Sequence, residues 1–176
     1  MAFVPVIPSL GFPPIAEART LDDGLAGRSS PGPWLGRIIS AVDPSYGNGE
    51  FIYLKGVTDT VVGSAVTYNA DDNTTTLLVA DAIGPVAVAM SACDSVLKGG
   101  WYQISGKAVI KAGTVADNGN VYATATPGQV DDAVVAGDLV HNAKFASANG
   151  TPSTGLAECE ISRPWVDNDV DDLDVS

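Results

Sequence analysis

The side chains best suited to chemistry are few and far apart. The chain has one histidine, His141, and two cysteines, Cys93 and Cys159. His141 sits in Leu-Val-His-Asn-Ala-Lys-Phe, a strand-like run, where a lone imidazole reads as a structural or surface group rather than as a catalytic base. The cysteines form no Cys-x-x-Cys pair and no Cys/His cluster, so zinc-ligand spacing is missing. Both lie in apolar runs and read as small buried hydrophobes, and nothing in the sequence supports a disulfide between them. Adjacent carboxylates occur at Asp22-Asp23, Asp71-Asp72 and Asp131-Asp132. A glycosidase needs two carboxylates facing one cleft, whereas sequence neighbours on a strand point to opposite faces. Hydrogen bonding to local turn backbone is the better reading of all three pairs. Asp167-Asn-Asp169-Val-Asp171-Asp172 imitates the opening of an EF-hand loop but lacks the sixth-position glycine and the twelfth-position glutamate. Gly150-Thr-Pro-Ser-Thr-Gly155 has the wrong spacing for a nucleophile elbow, and neither a Walker loop nor GxGxxG occurs. Asn73 and Asn149 open glycosylation sequons with no secretory signal to give them meaning. The expectation is a protein that is not an enzyme, with no catalytic residues, no metal and no cofactor.

Charge narrows the partners. Nine Lys and Arg against 21 Asp and Glu leave a net charge of −12, with a pI near 4.1. The basic residues are scattered singly, so the chain cannot neutralise a run of phosphates or settle on an anionic bilayer. No direct nucleic-acid or membrane contact is expected. The longest apolar stretch, around Ile83 to Met90, is far too short to span a bilayer.

The elements that would position any site are strands. Charged residues make up 17% and hydrophobic ones 45% of 176 residues, which is a core-forming composition sized for one domain. Glycine and proline cut the chain into short pieces and leave little room for long helices. Gly36 to Val42 reads as a first strand, with a turn at Ser45 to Gly49 in which Asn48-Gly49 is the hairpin signal. Glu50 to Val57 follows as a β-branched and aromatic strand. Ser64 to Ile83 is free of Gly and Pro, yet its Thr and Val residues read as two strands and a turn. After Gly84-Pro85, Val86, Val88 and Met90 alternate with Ala87, Ala89 and Ser91, which is strand periodicity. Gly100 to Ala112 is the longest candidate, with Gly106 marking a bulge or bend. Asn120 to Ala125, Leu139 to Ala148 and Leu156 to Ser162 complete the set. The fold class expected is all-β: a small β-barrel or sandwich-like domain with an extended Pro-rich N-terminal arm.

The division expected is an arm over residues 1–33, a β-rich body over 34–164 and an acidic tail over 165–176. The arm holds six of the eleven prolines, which favour extended backbone. A short helix from Ile15 to Leu21, opened by Pro14, is the one regular element it could hold. Phe3, Val4, Val6, Ile7, Leu10, Phe12 and Ile15 make it too apolar for a solvated linker. It must lie on another chain, the reading favoured here, or wrap its own domain. Phe3, Val6, Ile7, Phe12 and Trp34 are the candidate contact residues, because large apolar and aromatic groups dominate interface energetics.

The blocks Gly49-Glu-Phe-Ile-Tyr-Leu-Lys-Gly56, Gly84-Pro-Val-Ala-Val-Ala89, Gly100-Trp-Tyr-Gln-Ile-Ser-Gly-Lys-Ala108 and Gly128-Gln-Val-Asp-Asp132 resemble the capsid decoration, or cement, proteins of tailed bacteriophages. The likeness covers roughly residues 36–164 and rests on strand texture and glycine placement. It implies a virion structural protein, made in the host cytoplasm and placed on the exterior of the capsid. Its partners would be the major capsid protein and itself, as a homotrimer, with no catalytic residues and no cofactor. An alternative is a receptor- or carbohydrate-binding module of a phage head fibre or tail, using Trp101, Tyr102 and Trp165. A hydrolase with a dispersed active site ranks third.

Overall fold

The computed structural model describes residues 2–6, 13–21 and 34–168, and all regular structure among them is β-strand. The expected all-β class is what forms. The spine is β8 (Lys98–Lys111), the longest strand. Along one edge it pairs with β4 (Gly47–Lys55), and β4 in turn with β3 (Ile38–Asp43). Along the other edge it meets β2 (Arg19–Thr20), β7 (Gly84–Ala89) and β12 (Leu156–Val166) in succession. All strand pairs in this sheet are antiparallel.

Beyond β12 the order runs through β11 (Leu139–Phe145), β9 (Asn120–Ala123) and β10 (Val130–Asp131). A parallel bridge from Val130 to Ala112 returns the sheet to the end of β8, and Gly113 N–H donates to Val130 O at 2.9 Å. The sheet therefore curls into a small barrel. The hairpin β5 (Ala65–Tyr68) and β6 (Thr75–Leu77) packs beside β7, and Ala65 N–H donates to Gly128 O at 3.0 Å. Closing the sheet on itself removes edge groups that would otherwise need partners.

Period-two alternation sorts the apolar residues into three cores. Val86 and Val88 of β7, with Ala108 and Ile110 of β8, fill the barrel together with Val121, Val140, Phe145 and Cys159. Ala87 and Ala89 face a second cluster with Ile52, Leu54, Tyr102 and Ile104. Phe51, Tyr53 and Trp101 face a third, which Phe3 and Ile15 of the N-terminal segment cover. A register slip between Glu50 and Phe51 leaves Ile104 as an extra residue on β8, so the bulge falls two positions before Gly106. Gly106 itself has φ +98°, and a Cβ there would stand 2.3 Å from Asn48 O, so only glycine fits.

Three local expectations are corrected. The first turn forms at Pro44 to Tyr46, not at Asn48-Gly49, which lie inside β4. Asp43 Oδ1 accepts the Ser45 and Tyr46 N–H groups at 2.7 and 3.1 Å, so Asp-Pro turn chemistry outcompetes Asn-Gly. The Ile15–Leu21 helix is replaced by a turn at Ile15 and Ala16, then by Arg19–Thr20 pairing with Gly99 and Lys98. Here the open edge of β8 overrides a weak helix preference. Finally, the described parts of the arm lie on their own domain. Val4 and Pro5, as β1 (Val4–Pro5), pair with Val42 and Ala41, and Trp101 Nε1 donates to Pro13 O at 2.9 Å.

Candidate interaction surface

Of the five residues singled out for contact, the structure places three. Phe3 is buried, edge-on to Phe51 with ring centroids 4.8 Å apart, and serves the fold rather than a partner. Trp34 is half-buried against the same cluster, with the Arg37 guanidinium over its ring at 5.6 Å. Val6 alone is displayed, 57% exposed. Ile7 and Phe12 lie outside the described residues.

Around Val6 the strand pattern assembles a surface that sequence reasoning missed. Val4 opposes Val42 directly, and Val6 N–H donates to Ser40 O at 2.9 Å. Alternation then puts Val4, Val6, Ile38 and Val42 on one face of the β1–β3 ribbon. All four are exposed, while Phe3, Ile39 and Ala41 on the opposite face pack into the third core. The signal was present in Ile38-Ile39-Ser40-Ala41-Val42-Asp43, whose exposure alternates residue by residue. It needed the knowledge that β3 has a covered face and an open one.

Charge on this face is compensated. Glu50, opposite Ser40, pairs with Arg163 at 2.9 Å from Oε2 to Nη2. The patch is therefore an apolar strip beside a neutralised ion pair on an otherwise acidic molecule. Asp43 fastens the ribbon: its Oδ2 accepts the Ala2 N–H and its Oδ1 the Ser45 and Tyr46 N–H groups. Burial raises its pKa, but these three backbone donors outweigh it and hold the carboxyl below its ordinary 3.8.

The remaining chemical candidates resolve into structural roles. His141 stacks on Trp165 with centroids 4.0 Å apart, and its Nε2 stands 3.7 Å from Asp167 Oδ1. Cys93 and Cys159 are free and buried, and burial pushes their thiols up to about 11 and about 12. Asp72 and Asp131 accept the backbone N–H groups of Thr74 and Ala133, as turn chemistry predicts, whereas Asp132 accepts the N–H of Ala116, 16 positions away, and so ties two separate segments together. Asp22 and Asp23, like the acidic run from Asp169 onward, lie outside the described residues. Among the described residues no group of three or more His, Cys, Asp and Glu side chains could hold a metal ion. Trp101 and Tyr102, expected as exposed sugar platforms, are fully buried core residues, and of that trio only Trp165 reaches solvent, at 40%. Long strand residues of β8 alternate between two cores, which leaves neither ring an open face.

No family model matches the chain, and no curated protein matches it.

Proposed function

We propose that this chain is a virion structural protein that decorates the outer surface of a tailed-phage capsid and clamps neighbouring copies of the major capsid protein. The observation that carries the reading is the strip of Val4, Val6, Ile38 and Val42, held out on a braced ribbon and free of net charge. The phage-like strand blocks and the acidic, scattered charge agree with it. The work is binding, without catalysis or cofactor, on the particle's exterior.

Magnitudes decide how such a surface could act. Fully burying a Val or Ile side chain contributes roughly 1.5–3 kcal/mol, and these four are already about half-buried. Some 4 kcal/mol from the strip corresponds to about millimolar affinity before the costs of association. One copy alone would bind weakly. Assembly with sister copies, as a trimer, and attachment to a repeating lattice would raise the effective affinity by about 10²–10⁴.

The test is co-sedimentation with empty expanded shells of the source particle, comparing the native chain with Ile38→Glu/Val42→Glu. Both sites are exposed, so the double variant should keep its melting temperature and lose shell binding. Undiminished binding would remove this strip from the reading. Deleting residues 1–33 is not a usable alternative, because Phe3 and Ile15 belong to the core.

A further inference from the structure

A second surface has a different chemistry. An open cleft of about 190 Å³ lies where the β5–β6 hairpin meets the start of β7, lined by Thr67, Tyr68, Asn69, Thr74, Thr76 and Ile83. Five of the six carry a hydroxyl or an amide, and none carries a charge, on a chain whose net charge is −12.

Part of this polar lining is already spent on the hairpin. Asn69 Oδ1 accepts the Asp71 N–H at 2.9 Å, and Thr74 Oγ1 donates to Asp72 Oδ1 at 2.7 Å. The Thr67 and Thr76 hydroxyls are left with no intramolecular hydrogen bond among the described residues, whereas the Tyr68 ring packs on the opposite face of the hairpin against the second core. Thr67 and Thr76 are directly opposed across β5 and β6, which sets two such hydroxyls side by side. Ile83 is 72% exposed at the rim and offers an apolar contact beside these groups.

We infer that this cleft binds one neutral pyranose unit, with the Thr67 and Thr76 hydroxyls and the Asn69 amide bonding its hydroxyls and Ile83 covering its C–H face. The size argues for a single small polar ligand, since clefts for drug-sized molecules run about 300–1,000 Å³. The lining argues for a neutral one: nothing in it would compensate a carboxylate or sulfate, and the overall charge repels both. A metal ion is equally unsuited, because the lining offers no carboxylate, imidazole or thiolate. The inference is independent of capsid binding, and the lining includes none of Val4, Val6, Ile38 and Val42.

Saturation-transfer NMR on the full chain tests it, with methyl β-galactopyranoside, methyl α-glucopyranoside and N-acetylglucosamine as probes and methyl glucuronide as the anionic control. The expected result is transfer to at least one neutral probe with Kd on the order of 1–10 mM, little transfer to the glucuronide, and at least a tenfold weakening in Thr67→Val/Thr76→Val. That variant keeps side-chain shape and strand preference, and circular dichroism verifies its fold. No transfer to any neutral probe at 20 mM would overturn the inference. Equal transfer to the glucuronide, or binding unchanged in the double variant, would do the same.

Discussion

Replacing Phe3 by Ala tests whether the N-terminal segment is a structural part of its own domain. Phe3 is 9% exposed and packs edge-on against Phe51 at 4.8 Å. Burying a phenylalanine contributes roughly 1.5–3 kcal/mol, and an edge-to-face ring pair adds about 0.5–1.5 kcal/mol. The expected loss is therefore about 3 kcal/mol. In a chain of this size each kcal/mol moves the melting temperature by about 2–4 °C, so Phe3→Ala should melt about 6–12 °C lower. Scanning calorimetry with far-UV circular dichroism measures this. Val4→Ala, one position away and 60% exposed, is the internal control and should shift by less than about 2 °C. Equal small shifts in both variants would refute the reasoning, because Phe3 would then not be seated on Phe51.

Other outcomes follow from the same physics. Asp43 is held below its ordinary 3.8, so the stability it contributes is present above that value and lost as pH falls through its lower folded value. Acid melting below about pH 4 should thus include a component that Asp43→Asn removes, read as the difference between the two melting-temperature profiles. Cys93 and Cys159, buried with raised thiol pKa values, should give no reaction with Ellman's reagent in the native protein and two equivalents in 6 M guanidinium; one or more fast native equivalents would contradict their burial. Gly56→Ala places a Cβ 2.0 Å from Cys93 O, a backbone atom that cannot step aside, so it should cost about 1–3 kcal/mol or more by urea titration.

Much of the fold was legible because the strands announce themselves through period two. In β7 the alternation of Val86 and Val88 with Ala87 and Ala89 maps directly onto two different cores. The β5–β6 hairpin was readable from its Thr and Val content alone. What stayed hidden was pairing at a distance. Nothing local in Arg19-Thr20 says that it borders Gly99 and Lys98, and nothing in Phe3 says that Phe51 waits 48 positions on. The same gap explains the site. Large apolar residues in a proline-rich stretch were read as displayed, but Phe3 and Trp34 turned inward and the smaller Val4, Val6, Ile38 and Val42 remained outside. Trp101 and Tyr102 follow the same rule: their aromatic type suggests an exposed binding face, but burial between two cores decides their place. The hydroxyl-lined cleft carries no linear signature, since Ile83 joins Thr67 and Thr76 only when β7 pairs with β5.

The capsid reading meets its most direct test in copy number. Quantitative mass spectrometry of purified source virions, with labelled peptides from this chain and from the major shell protein, gives the ratio. A cement protein coating the lattice predicts a ratio near one per shell subunit. A handful of copies per particle, or none, would contradict it.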